Sequence, residues 1–260
     1  MRILIVTQEE NLYLPRSFAK VCRAFPDEVV AIVSAPAMST HGGAVKGFMK
    51  HVRLFGVLGT LTLAWRVLLA KVAAMATSPS KAGPFHSIEQ VARAWDVPYH
   101  RVPDLKGARF STVLDEQRPD LLVSISCPQI IGKSIRDRLP LGAINVHGAP
   151  LPRYRGLMPA FWVLRNGETR TAITVHDLAA RLDDGDILAQ QRVDILPLDT
   201  WDSLVRRTKD AGADLLVQTI EQIRDGTVVR RPNPEAESTY FSFPTSADKR
   251  AFLAMGRRFF

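Results

Sequence analysis

The sequence predicts an α/β fold in which a mostly parallel sheet carries helices on both faces. Two observations lead to this prediction. Short apolar runs of the kind that form buried strands recur along the chain, and segments with helical spacing of apolar residues lie between several of them. The strand-like runs are residues 3–6, 29–33, 121–124, 143–146 and 172–176. Strands that alternate with helices are typical of a three-layer, Rossmann-like arrangement.

Helical patterns occur at residues 88–95, 110–117 and 199–223. In the last segment apolar residues recur at roughly helical intervals from Leu204 to Ile220, and Asp199-Thr200 is suited to cap its amino end. We therefore expect one long amphipathic helix there.

The chain has 260 residues, enough for one large domain and a small appendage. We place the main domain at residues 1–226. After Gly226 the composition changes to a turn-rich basic linker, a short aromatic strand at 238–243 and a basic helix at 247–260. Residues 227–260 are expected to form a short strand/helix tail, too short for another full domain.

The composition is that of a chain with a real core, because 46% of its residues are hydrophobic and only 23% are charged. The net charge of +8 favours an anionic partner such as a nucleotide, phosphate, nucleic acid or membrane surface. A merely basic surface would have the same composition. Composition alone leaves these readings open.

The two cysteines, Cys22 and Cys127, make neither a disulfide framework nor a metal-ligand spacing. Because free thiols persist under reducing conditions, we expect a cytoplasmic protein. The chain opens directly on a strand-like run, so no signal peptide is expected.

Residues 38–76 form a basic, apolar insertion. It carries Lys46, Lys50, Arg53, Arg66 and Lys71 and no acidic residue. Its apolar part, 54–65, ends at Arg66 and is shorter than the roughly 20 residues of a membrane span. We expect two helices packed on the sheet or on a second subunit. An acceptor-binding flap and a helix lying on an anionic bilayer are the alternatives.

Several familiar motifs are absent from the sequence. The first strand is not followed by a G-x-G-x-x-G loop, which argues against a dinucleotide cofactor. There is also no Walker-type loop, no H-E-x-x-H and no G-x-S-x-G.

Asn145-Val146-His147 is the most informative motif. Strand alternation places Asn145 and His147 on one side of a strand end, and Asp183 follows 36 residues after His147. An amide, an imidazole and a carboxylate can together catalyse acyl transfer without a covalent intermediate. The alternatives are a hydrogen-bonded structural pair for the first two, and turn chemistry for Asp183. His176, on an apolar strand, is interpreted as structural.

These motifs resemble the formyltransferase family. The resemblance rests on Asn145-Val146-His147, on Leu151-Pro152-Arg153-Tyr154-Arg155-Gly156 and on Leu182-Asp183-Asp184-Gly185-Asp186. It covers roughly residues 120–226 and implies N10-formyltetrahydrofolate as co-substrate, with no metal. It also implies that 1–226 is the catalytic domain.

The resemblance assigns roles to individual residues. The catalytic residues fall on Asn145, His147 and Asp183. The folate pocket falls on Ser126, Cys127, Pro128, Gln129, Ile130, Ile131, Arg181 and Leu182. Arg153, Tyr154, Arg155 and Gly156 are the expected contacts to the acceptor. The family's Leu-Pro position also predicts a cis peptide at Leu151-Pro152.

The chain departs from the family at Ala149, where a Ser is common, and at Ala172, where a Gly is common. Both put the shape of the acceptor loop in question. The short tail favours a small acceptor over tRNA, so no nucleic-acid partner is expected. An amino sugar linked to a nucleotide fits best.

The expected mechanism uses Asn145 and a protonated His147 to stabilise the oxyanion, with Asp183 orienting the imidazole. A formyltetrahydrofolate hydrolase is the alternative reaction. Lipid-linked amino sugars and amino-acid-derived amines are alternative acceptors. A homodimer and contact with a membrane surface remain open.

Overall fold

The computed structural model of the protein describes residues 1–36 and 43–260, with the backbone alone at 43–47. Residues 38–42 of the predicted basic insertion and the side chain of Lys46 lie outside the described residues.

A seven-stranded mixed sheet forms the centre of the fold. Its strands are β1 (Ile3–Thr7), β2 (Val29–Ser34), β3 (Tyr99–Arg101), β4 (Leu121–Ile125), β5 (Ala143–His147), β7 (Arg170–Asp177) and β8 (Ile187–Asp194). Their order is β3-β2-β1-β4-β5-β7-β8. The first five are parallel, whereas β7 runs antiparallel to both β5 and β8. The predicted mostly parallel α/β sheet is confirmed.

Helices cover both faces of this sheet. They are α1 (Leu14–Ala24), α2 (Gly43–Ala76), α3 (Ile88–Ala94), α4 (Ala108–Gln117), α5 (Lys133–Arg136), α6 (Pro159–Arg165), α7 (Trp201–Arg224) and α8 (Ser246–Ala254). The three predicted helices correspond to α3, α4 and α7. Alternation along β1 separates two cores: Ile3 and Ile5 join the core that includes α1, α3 and α7, and Leu4 and Val6 join that of α4.

The long helix α7 starts with a capping box, in which Thr200 and Ser203 each accept from the other's backbone amide. It lies close to the sheet at Gly212. A Cβ built there would lie 3.2 Å from Val146 and 3.3 Å from Ile173. The glycine therefore lets the helix lie directly against β5 and β7.

The carboxy-terminal extension packs onto the rest of the chain. Its strand β9 (Tyr240–Phe241) pairs in parallel with β6 (Arg155–Gly156), and α8 places Phe252 in the main core against Phe161. The helix predicted over 247–260 stops earlier, at Ala254, because Gly256 has a positive φ of 74°.

Helix α2 differs most from expectation. A non-helical residue, Gly56 (φ 75°, ψ 174°), divides it, so two helical segments are present as expected. The apolar stretch, however, does not end at Arg66, because that side chain turns inward to bind Asp202 at 3.0 Å. By length and composition alone, Phe48–Ala76 is long and apolar enough to cross a membrane. Of its most apolar 18-residue stretch, only 6% is buried inside the protein. The inference that the insertion is too short for a span is therefore wrong.

Removing the Phe252 side chain should destabilise the whole protein. Phe252→Ala leaves a cavity in the main core and should cost about 3–5 kcal/mol of unfolding free energy. Its neighbour Leu253, 46% exposed, is the matched control, and Leu253→Ala should cost less than about 1 kcal/mol. Urea unfolding would measure both. An unchanged main transition in Phe252→Ala would show instead that the extension folds independently.

Candidate active site

The candidate site lies where the strand direction of the sheet changes. β5 pairs in parallel with β4 on one side and antiparallel with β7 on the other. Asn145 of β5 lies directly opposite His176 of β7, and Asn145 Nδ2 is 3.1 Å from His176 Nε2. Cross-strand partners project to the same face of a sheet. Asn145 and His176 are therefore held together by the strand register itself.

Asp183 completes this cluster from the turn after β7. Its Oδ2 lies 3.5 Å from His147 Nδ1, and its Oδ1 lies 3.5 Å from His176 Nε2. Its Oδ2 also accepts the amide hydrogen of Gly156 at 2.9 Å. The structure thus brings together the three residues predicted from the sequence, with the carboxylate between two imidazoles.

The two imidazole rings are oriented by backbone carbonyls. His147 Nε2 lies 2.8 Å from the Tyr154 carbonyl, and His176 Nδ1 lies 2.8 Å from the Asp177 carbonyl. A carbonyl oxygen only accepts, so each of these nitrogens carries a hydrogen. The other nitrogen of each ring is left facing Asp183.

Burial lowers the pKa of His147 below its ordinary value, although the charge of Asp183 acts to raise it. The protonated His147 expected from the sequence is therefore not the favoured resting form. Burial alone would raise the pKa of Asp183, but His147, His176 and the Gly156 amide together hold that pKa at about 2. At neutral pH the pair consists of a neutral imidazole and a carboxylate.

A cavity of about 480 Å³ opens beside this cluster. It is lined by Asn145, His147 and Asp183, and by every residue predicted for the folate pocket. Those residues are Ser126, Cys127, Pro128, Gln129, Ile130, Ile131, Arg181 and Leu182. The two loops that the sequence assigns to one ligand therefore lie around one cavity.

The loop at 126–131 is held to the sheet. The side chain of Gln129 accepts from the Leu105 amide at 2.9 Å and donates to the Pro36 carbonyl at 2.8 Å. Burial raises the pKa of Cys127 to about 11, so its thiol stays neutral and unreactive at neutral pH. Within the described residues no cluster of His, Cys, Asp or Glu is arranged to hold a metal ion.

Four residues around the cluster adopt left-handed backbone conformations without being glycine: Ser126, Tyr154, Met158 and Asp183, with φ between 52° and 63°. Such conformations are unfavourable for side chains with a Cβ and are concentrated at functional sites. The Leu151-Pro152 peptide is cis, as predicted.

The expected acceptor contacts are only partly placed at this cavity. Gly156 lines it, but a Cβ at Gly156 would lie 2.2 Å from the Phe241 carbonyl oxygen, so the residue is also required by the pairing of β6 with β9. Tyr154 is buried and stacks on Phe241. Arg153 binds Glu168 at 2.5 Å beside a separate surface depression.

Arg155, also an expected acceptor contact, has its partners within the protein. Its guanidinium is buried and binds Asp184 and Glu235, each at 2.7 Å, and also both oxygens of Asn233. With these partners the side chain holds two loops together and is not free to bind a phosphate.

Lys209 is a site residue that the sequence reasoning missed. It lies on α7, lines the cavity and donates to Ser126 Oγ at 2.5 Å. Burial lowers its pKa, and the charge of Glu10 opposes this shift. A signal was present in the sequence, since Lys209 lies seven residues, or two helical turns, before the buried Leu216 and so on the apolar side of the helix.

The model of the family described as "Formyl transferase" matches residues 70–220 of this chain. The chain belongs to this family. It is 37% identical to methionyl-tRNA formyltransferase from Syntrophus aciditrophicus (strain SB) over 153 residues. These residues make up 59% of this chain and 49% of that relative. The chain thus spans about half the length of the curated relative. The resemblance inferred from the motifs is confirmed.

Solved structures share the fold at low identity. WlaRD, a sugar 3N-formyl transferase, has a TM-score of 0.59 at 17% identity, covering 93% of this chain and 69% of its own. Phosphoribosylglycinamide formyltransferase from Anaplasma phagocytophilum also has a TM-score of 0.59 at 17% identity. The match covers 93% of this chain and 97% of that one. An N-formyltransferase from Helicobacter canadensis has a TM-score of 0.57 at 15% identity. The match covers 93% of this chain and 71% of that one.

Replacing Asp183 by Asn should lower the pKa of His147 further. The negative charge of Asp183 is the largest influence that raises this pKa, and the substitution removes it. NMR titration of the His147 ring protons would measure the change, with the ring of His86 as an internal control. A His147 pKa that rises in Asp183→Asn would contradict the assigned arrangement.

Proposed function

We propose that the protein transfers the formyl group of N10-formyltetrahydrofolate to the amine of a small anionic acceptor, an amino sugar linked to a nucleotide. One observation carries the proposal. Asn145, His147 and Asp183 meet in a single cavity that both predicted folate loops also line, in a chain of the formyl transferase family.

The cavity suits the donor in size and in chemistry. Its volume of about 480 Å³ lies in the range of small-ligand sites. Ile130 is 64% exposed and Leu182 is 45% exposed, and both line it. Apolar side chains exposed on opposite loops are suited to the two faces of a flat ring such as a pterin.

Asn145 would stabilise the oxyanion. The amide Nδ2 carries two hydrogens, and at most one of them is used by His176. The other is available to the formyl oxygen as it becomes negative. Donors fixed in advance at such an oxygen typically contribute a factor of about 10²–10³ to the rate.

The His147–Asp183 pair would carry the proton. When the acceptor nitrogen bonds to the formyl carbon it must lose a proton, and neutral His147 has Nδ1 free to take it. The carboxylate of Asp183, 3.5 Å away, then stabilises the imidazolium. When the bond between the formyl carbon and N10 breaks, the same proton passes to N10. The enzyme returns to its starting form without a covalent intermediate.

Lys209 supports an anionic acceptor. Its ammonium group is buried, has a hydroxyl rather than a carboxylate as its direct partner, and lines the cavity. A buried cation of this kind is stabilised by binding an anion. The related structures WlaRD and the Helicobacter canadensis enzyme were solved with dTDP and with dTDP-3-aminofucose respectively, which supports a nucleotide-linked acceptor.

One observation favours a second acceptor class. Most of the apolar part of α2 is exposed, which would suit an enzyme that meets its acceptor at a membrane. An amino sugar carried on a lipid is therefore the second candidate.

His147→Ala and Asp183→Asn should each lower the turnover by at least about 10³, while the fold survives, because the first removes the group that carries the proton and the second removes the carboxylate that stabilises the imidazolium. Leu253→Ala, which changes an exposed side chain outside the cavity, is the control and should keep near wild-type turnover. The assay follows tetrahydrofolate formation with and without an amino sugar nucleotide. Near wild-type rates in His147→Ala would refute the mechanism. Equal formate release without an amine would identify a hydrolase instead.

Lys209→Met should raise the KM for an amino sugar nucleotide by roughly tenfold or more and leave the KM for the folate donor nearly unchanged, since the cation is expected to face the acceptor. Lys133→Met, which removes a highly exposed lysine near the folate loop, should change neither constant. A larger effect on the donor KM would assign Lys209 to the folate instead.

A further inference from the structure

Helix α2 carries its apolar residues on the side that faces solvent. Eight of them, each between 48% and 81% exposed, recur at intervals of one, three or four residues. They are Val57, Leu58, Leu61, Trp65, Leu68, Leu69, Val72 and Met75. These intervals form one stripe about 27 Å long on an α-helix. No charged residue belongs to the stripe, so the usual orientation of a surface helix is reversed.

Two polar residues of α2, Thr60 and Arg66, face the protein instead. Arg66 binds Asp202, which also accepts from the Tyr13 hydroxyl at 2.5 Å. Thr60 is buried. The protein therefore covers Thr60 and Arg66 and leaves the apolar stripe without a partner among the described residues.

We propose that this stripe docks the protein on an anionic lipid bilayer, with α2 lying along the membrane surface. Exposed apolar patches of this size are unusual on soluble monomers and mark contact surfaces. Hydrophobic residues with flanking cations are the pattern of helices that bind the membrane interface.

The positive charge of α2 favours a bilayer over a second copy of the chain as the partner of the stripe. Lys50, Arg53 and Lys71 are exposed on α2, and residues 38–76 contain no acid. Pairing two such helices in either direction would bring cations together with no carboxylate of the helix between them. Anionic headgroups neutralise the same cations, and their long side chains can reach the headgroups while the stripe enters the acyl region.

Contacts at several points along α2 argue for lying on the membrane rather than crossing it. Phe55 packs on Trp201 and Phe259, with ring centroids 5.0 Å apart in each case. Near the other end, the Gln90 side chain donates to the carbonyls of Ala74 and Thr77. A helix inserted across the bilayer would have to give up these contacts and bury the ion pair of Arg66. Lying flat keeps all of them.

The proposed docking surface is connected to the candidate active site. Asp202, which holds Arg66 of α2, and Lys209, which lines the cavity, lie seven residues apart on α7. They therefore share one face of that helix at a separation of about 10 Å. The proposal does not depend on the reaction, because docking is a property of the exposed helix alone.

The test is sedimentation of the full chain with vesicles of phosphatidylcholine alone or with about a third phosphatidylserine. Wild-type protein should bind the anionic vesicles far more than the neutral ones. The double variant Leu61→Glu, Leu68→Glu should not bind. Leu198→Glu, at a leucine outside α2 that is more exposed than Leu61 or Leu68, should bind like wild type. Circular dichroism would verify that each variant is folded.

Two further measurements separate the contribution of the cations to vesicle binding from that of the apolar stripe. Replacing Lys50, Arg53 and Lys71 by Gln should weaken binding to anionic vesicles roughly 100-fold, since each cation near the surface contributes about a fivefold factor. Trp65 fluorescence should shift to the blue on binding, and Trp65→Phe should lose the shift.

Failure of wild-type protein to bind anionic vesicles would overturn the proposal. So would sedimentation equilibrium showing a dimer that Leu61→Glu, Leu68→Glu dissociates, because a second copy would then occupy the stripe. Either result leaves the formyl-transfer assay unaffected, so failure of the docking proposal is distinguishable from failure of the proposed function.

Discussion

The buried carboxylate of Asp183 is the constraint on which the site depends. A charge taken out of water is tolerated only when neighbouring groups satisfy it. Here the Gly156 amide donates to the carboxylate at 2.9 Å, and two imidazole nitrogens that can take up a proton lie 3.5 Å from it. Each comes from a different segment: β5 supplies His147, β7 supplies His176 and β6 supplies Gly156. The charge thus requires three segments to be placed together before the cavity can exist.

The carboxy-terminal extension takes part in this arrangement. Asn233 donates to the carbonyls of both Asp183 and Gly185, and Arg155 joins Asn233 to Asp184. The extension therefore holds the turn that presents the Asp183 carboxylate, in addition to adding Phe252 to the core. The buried arginine of the Leu-Pro loop therefore fixes this turn, while Lys209 and Arg181 are basic residues that line the cavity.

Sequence predicted those features that depend on local periodicity. Alternation placed Asn145 and His147 on one side of β5, and five strand-like runs matched strands of the sheet. The sequence could not predict the features of the site that depend on pairing between distant segments. The role of His176 follows from its register opposite Asn145, and the side-chain partners of Arg155 lie between 29 and 80 positions away in the sequence. The protonation of His147 likewise depended on burial, which outweighs the neighbouring charge of Asp183.

Helix α2 shows how a linear count of apolar residues can mislead. Counted along the sequence, the apolar run ends at Arg66; viewed around the helix axis, Arg66 lies on the inner side and the outer stripe continues to Met75. One charged residue interrupts a span only if lipid would surround it on all sides. On a helix with one covered side, the same residue can become the attachment to the protein. The Arg66–Asp202 pair therefore both fixes α2 to α7 and leaves its opposite side uninterrupted by charge, which is the geometry that a helix lying on a membrane requires.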